Sequence, residues 1–187
     1  LSAQFTPPYS LFSKKDYKSL YESSSRADRE ELYRWIEYYK IKFKSRVYTP
    51  LNNSEKYTLV LMGRADFGLL GSYNKYKQTP FETFHVGGDG MTGSYTYATE
   101  TIGLRGYDNG ALTPYSDGRA YTRFSMELHF PFLLQPSSTI YGLAFVEGGN
   151  AWTSLENFNP FSLKRSAGVG VRIFLPMIGL MGIDWAY

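Results

Sequence analysis

Cysteine is missing from all 187 residues, which rules out a disulfide framework, a thiolate metal site and a cysteine nucleophile. Histidine is nearly missing, and only His85 and His129 could serve as an imidazole base. No stretch of about 18 apolar residues occurs, so no transmembrane helix is readable. GxSxG, HExxH and phosphate-binding glycine loops are lacking, and with them the common signatures of hydrolases and nucleotide enzymes. Charge of one sign is also scarce. The net charge is +3 and spread along the chain, which gives nucleic-acid binding little support. No secretory leader is readable, because "LSAQFTPPYS" opens as strand and turn; the chain is expected to be a piece of a longer protein.

The missing helix does not exclude a membrane. A barrel strand needs only about 9–11 residues, of which every second one must be apolar, so bulk hydropathy can look ordinary. Here 43% of residues are hydrophobic, yet aromatics reach 18%, with 17 Tyr, 13 Phe and 18 Gly. Such richness in tyrosine and glycine favours β structure. The length suits one domain, residues 1–187, with no obvious linker.

"YTLVLMGRADFGLLGSY", Tyr57–Tyr73, sets Leu59, Leu61, Ala65, Phe67 and Leu69 on one parity and Thr58, Arg64 and Asp66 on the other. Alternation this long predicts a strand with one apolar and one partly polar face, longer than the usual soluble strand of about 5–6 residues. "YRWIEYYKIKFKSRVY", Tyr33–Tyr48, repeats the pattern, with Tyr33, Trp35, Tyr39, Ile41, Phe43 and Val47 opposite Arg34, Lys40, Lys42, Lys44 and Arg46. A charged helix begun by "RADREEL" is the other reading of this segment, but strict alternation of apolar and basic residues from Tyr39 to Arg46 favours the strand. Ala120–Phe132 places Arg123, Ser125, Glu127 and His129 on one face, and Ser166–Phe174 does the same with Ser166 and Arg172. Ile140–Trp152 is more hydrophobic throughout, and Gly179–Tyr187 is a short strand with Asp184 between Ile183 and Trp185. "LSAQFTPPYSLF" and "PFETFHVGG" bring the count to about eight strands. "FLPMIG" is a tight, proline-marked turn, whereas other connections are long. Short turns alternating with long loops are the asymmetry of an outer-membrane barrel. The expected fold is therefore all-β, an antiparallel transmembrane β-barrel that this chain does not complete.

"FHVGGDG", "LRGYDNG", "MELHFPF" and "FVEGGNAW", followed by "SAGVGVR" and a proline turn, occur in that order. Together they resemble the C-terminal barrel of the Omp85 superfamily, also called the bacterial surface antigen domain. Within it, the likeness is to the central subunits of outer-membrane protein assembly machines, and "FTPPYSLF" looks like their Bacteroidetes form. The resemblance implies the C-terminal half of a sixteen-stranded barrel without its closing strand, and a loop of about residues 89–119 folded into the lumen. It implies a protein of the Gram-negative outer membrane that folds and inserts nascent β-barrel clients, without a cofactor, beside accessory lipoproteins and outer-membrane lipid. Such proteins open between their first and last strands, where a free edge can template a client strand.

The same resemblance sets "LRGY" at the loop tip and its arginine, Arg105, against Glu127 and Glu147 on the wall. Glu127 lies on the polar parity of its strand, which agrees independently; Glu147 shares a parity with Leu143 and Phe145, so pattern alone does not orient it. Gly106 would let the backbone turn closely, and Tyr107 would pack on the wall. An arginine fork with five donors could pin a long loop against the entropy of fixing it. An enzyme is not expected. His129, Glu127 and Ser125 share one strand face, but i, i+2 neighbours are about 7 Å apart, too far for a direct relay. The alternatives are a related Omp85 transporter, of the TamA-like or two-partner secretion kind, or a passive porin filtering anions through Lys40, Lys42, Lys44 and Arg46.

Overall fold

The computed structural model describes every residue except 55–56, 91–98, 114–117 and 136. Its frame is an antiparallel sheet of seven strands: β1 (Ser2–Phe5), β2 (Tyr39–Pro50), β3 (Val60–Gly71), β6 (Ala120–Gln135), β7 (Ser138–Trp152), β8 (Lys164–Leu175) and β9 (Gly179–Ala186). They are neighbours in that order, and the sheet stays open, with β1 and β9 at its edges. Connections at one end are short, over 51–59, 136–137 and 176–178; at the other they are long, over 6–38, 72–119 and 153–163.

Alternation is what makes these segments strands, since period-2 apolar residues can share a face only in extended backbone. On the outer face Phe43, Phe67 and Phe124 form a ladder across β2, β3 and β6, with ring centroids 6.2 and 5.3 Å apart. Val47, Met126, Val146, Val169, Ile183 and Trp185 stand exposed on that face. The inner face carries the lysines of β2, Arg64 and Asp66 of β3, and Arg123 and Glu127 of β6. An apolar outside and a charged inside are the reverse of a soluble protein's arrangement.

Three expectations change. The Tyr33–Tyr48 segment is not one strand: α3 (Arg26–Tyr33) precedes β2. "RADREELY" has no alternation, carries Asp28 in its first turn and an Arg26–Glu30 pair at i, i+4, 2.9 Å apart, all of which suit a helix. The same long loop holds α2 (Tyr17–Glu22), capped by Asp16, which accepts hydrogen bonds from the Lys18 and Ser19 amides. "LSAQFTPPYSLF" yields only the four-residue β1, after which the prolines give way to the short helix α1 (Tyr9–Phe12). "PFETFHVGG" is not a wall strand either. It forms β4 (Thr83–Val86), which pairs in parallel with β5 (Thr99–Ile102) in a separate two-stranded sheet. Phe84 and Val86 are fully buried, so β4 belongs inside rather than in a half-exposed wall. The wall therefore has seven strands instead of about eight, and β4, which lies ahead of residue 89, belongs to the same 72–119 connection as β5.

That connection packs on the inner wall around Phe84, Val86, Ile102 and Leu104, against Leu70, Tyr121 and Ala151. Tyr121 lies flat over Gly68 of the adjacent strand, where an added Cβ would sit 2.1 Å from its ring. Only glycine leaves room for the ring there. Burying each of the four loop side chains contributes about 1.5–3 kcal/mol, enough to hold the connection against the wall before any charge is counted.

Candidate functional site

The loop leaves β5 through Gly103 and Leu104 and delivers Arg105 to the inner faces of β6 and β7. Leu104, fully buried, anchors the turn on one side. Gly106 follows at φ +86°, a left-handed conformation, and a Cβ there would lie 2.9 Å from the Ser166 Cβ of β8. Both the turn and the close approach require glycine. Tyr107 then lies along the wall, and its hydroxyl donates to the Arg165 carbonyl at 2.7 Å.

Arg105 reaches both glutamates. Its Nη2 donates to Glu147 Oε1 at 2.6 Å and also to Glu127 Oε1, while its backbone amide donates to Glu147 Oε2 at 3.0 Å. The guanidinium lies over the Phe145 ring, 3.6 Å from its centroid, and Asp184 Oδ2 stands 3.6 Å from Nη1. Ser125 Oγ donates to Glu147 Oε1 at 2.9 Å, which fixes that carboxylate from below. Three carboxylates, one arginine and an aromatic face thus converge in a largely buried site. Burial works against the guanidinium charge, but the Glu147 and Glu127 carboxylates outweigh it and raise the pKa of Arg105 above its ordinary value.

Sequence pattern did not single out Phe145, Arg172 or Asp184 for this site. Asp184 is held by a two-pronged pair with Arg172, both bonds 2.6 Å, which links β8 to β9 beside the arginine. The available signal was parity, because each lies on the face its strand turns inward. Phe145 was obscured because an apolar residue argues against a watery lumen, whereas here it faces the loop.

One geometric expectation is corrected. His129 Nε2 lies 2.8 Å from Glu127 Oε2, within hydrogen-bond reach. The spacing of about 7 Å describes backbone positions on one strand face; a long glutamate and a ring that lean together close the gap. The Ser125 hydroxyl on the same face donates to Glu147 instead of to this pair. Among the described residues, no group of three or more His, Cys, Asp or Glu side chains could hold a metal ion.

A family model, described as the Omp85 superfamily domain, matches residues 23–187. The chain belongs to the Omp85 superfamily. Among solved structures, this Omp85 chain is similar to the crystal structure of BamA from Haemophilus ducreyi lacking POTRA domains 1–3. The TM-score is 0.54 at 22% identity, over 80% of this chain and 31% of that one. The present chain therefore spans about a third of the length of that structure, and the likeness concerns the fold. The open seven-stranded sheet is a stretch of an Omp85-type barrel wall, with Phe84, Val86, Ile102 and Leu104 packed against the face opposite its apolar one.

Proposed function

We propose that this chain is wall and inner loop of a BamA-like factor that folds and inserts nascent β-barrel proteins into the outer membrane of a Gram-negative bacterium. It would act without cofactor, within a BAM-type complex that includes accessory lipoproteins. The observation that carries the reading is the clamp, in which a loop arginine beside a left-handed glycine is held by Glu127 and Glu147 on two adjacent wall strands. Breaking it would leave two carboxylates facing each other in a low-dielectric site, so the loop has a strong reason to stay seated. A seated loop braces the wall from inside, which suits a barrel that has to part at one seam without collapsing elsewhere.

Against a passive anion-selective porin stand the lysines themselves. Lys40, Lys42 and Lys44 are engaged by Glu100, and Lys40 also by Glu82, which offsets much of the positive charge of the row that Arg46 completes. The Bacteroidetes form rests on "FTPPYSLF" alone.

The test is Arg105→Ala in the full-length protein in cells, read by the levels of folded outer-membrane barrels. A fall in folded clients supports the assembly reading. Normal client levels together with steady, large, ion-selective conductance in planar bilayers would instead make it a porin. Normal clients with impaired export of one passenger protein would make it a transporter.

A further inference from the structure

The clamp at Arg105 has a counterpart of opposite sign five residues earlier. Glu100, at the other end of the same extended stretch, takes Lys42 Nζ at 2.8 Å, Lys40 Nζ at 3.2 Å and Lys44 Nζ at 3.2 Å. All three lysines lie on the inner parity of β2. Lys40 is buried at 4% exposure, also pairs with Glu82 at 3.0 Å, and sits 5.0 Å from the Phe84 ring centroid. Between the two ends, Arg123 of β6 donates through Nη1 to the Gly103 carbonyl. Arg123 is itself held by Asp66 of β3, at 2.8 Å from Nη2 and 3.2 Å from Nε.

Residues 100, 103 and 105 are therefore fastened in sequence to β2, then β6 and then β7. Three inter-strand steps, β2 to β3 to β6 to β7, span about 14 Å at about 4.8 Å each. Five residue steps of extended chain reach about 17 Å at about 3.3 Å each. The reach matches the span only if the stretch runs crosswise over the wall in near-extended form. Ile102 and Leu104, both buried, press the middle against it.

We infer that residues 100–105 act as a transverse strap across the inner wall, with Glu100 and the β2 lysines forming a second clamp that fixes the strap's direction and register. Glu100, Lys40 and Lys42 are positioning residues for Arg105. The polarity is what sets direction: the wall presents Lys40, Lys42 and Lys44 to the Glu100 end and Glu127, Glu147 and Asp184 to the Arg105 end, so the strap meets the opposite charge at each end. Slippage by two residues would move both ends off their partners at once. The proposal extends the assembly reading by adding a determinant of loop seating, but it makes its own claim about the loop.

The test uses full-length protein in outer membranes, with cleavage by chymotrypsin after Tyr107 as the readout of seating and the heat-dependent gel shift as the readout of a folded barrel. Glu100→Gln is expected to raise cleavage after Tyr107 about tenfold while the gel shift is unchanged, since a charged contact is lost without a new clash. Glu100→Lys is expected to raise it further, and Glu100→Lys with Lys42→Glu to bring most of the protection back. A side chain that merely filled space would not be rescued by exchanging charges. Wild-type protection in Glu100→Gln, in a barrel that keeps its gel shift, overturns the strap. Loss of protection that the exchange does not restore overturns it equally. Client levels in the same cells report separately: strap variants that lose protection while Arg105→Ala leaves clients normal would sink the assembly reading and leave the strap standing.

Discussion

The two ends of the inner loop stretch solve the same problem with opposite chemistry. At one end Arg105 is shared by Glu127, Glu147 and Asp184, the last also held by Arg172; at the other Glu100 is shared by Lys40, Lys42 and Lys44, the first also held by Glu82. The arginine end has geometry, with a planar fork, a backbone amide and an aromatic face all addressing it. The glutamate end has hydrogen bonds from Lys42 and Lys44 and an aromatic ring near Lys40, but no planar fork, since lysine ammonium groups are point charges on flexible stems. The difference teaches that the arginine end should resist conservative replacement poorly, whereas the glutamate end should tolerate changes that keep its sign.

Arg105→Ala strikes the comparison hardest. Removing one partner of a buried cluster costs about 3–5 kcal/mol, so loop seating should fail and cleavage after Tyr107 should become fast. Arg105→Lys should recover only part of it. Full recovery by lysine would mean the fork is irrelevant and the two ends are alike. The corresponding change at the other end, Glu100→Asp, should stay close to wild type in the same assay. Gly106→Ala comes next, at about 1–2 kcal/mol for the left-handed backbone, with the Ser166 approach added. A variant with unchanged loop protection would show that the turn relaxes freely.

A pH titration separates the ends more gently. Burial would raise the Glu100 pKa, but hydrogen bonding to Lys42 and the charges of Lys40, Lys42 and Lys44 bring it down to about 2. Its folded pKa is depressed, so its contribution is complete above the ordinary value of 4.5 and fades as pH falls from there through 2. Loop protection should hold from neutral down to about pH 4.5 and decline below, in an acid-resistant protease assay. Glu100→Gln should flatten that decline; an equally steep decline in the variant would assign it to other carboxylates. Tyr107→Phe is the smallest change, removing one hydroxyl bond to the Arg165 carbonyl. It should cost about 1 kcal/mol and leave both clamps intact, visible as a slight rise in cleavage.

Much of the wall was legible because alternation is a local property. Arg123, Ser125, Glu127 and His129 fell on one face from the letters alone, and the structure extends that strand to Gln135. Period-2 reading failed where the pattern was short or already apolar throughout. Phe84 and Val86 alternate like wall residues, yet their complete burial comes from a loop that only tertiary packing supplies. Lys40, Lys42 and Lys44 were readable as one inward row, but their meaning was not. With no visible partner they resemble an ion filter, and the partner, Glu100, sits 58 residues after Lys42 in a stretch whose own pattern says little. Arg105 could be set against glutamates through family resemblance, whereas Asp184 and Arg172 required the register of β8 against β9.

The opposite polarity of the strap's ends also orders events in time. Glu100 must wait for nothing downstream, because Lys42 has already been made 58 residues earlier. Arg105 has no carboxylate to meet until chain positions 22 and 42 residues later have paired into the wall. The arginine clamp spans β6 and β7, so its closure is expected only once those two strands have paired, as a late step in the barrel's own maturation. In a refolding time course, protection of Tyr107 should appear after the pairing of β6 with β7, never ahead of it.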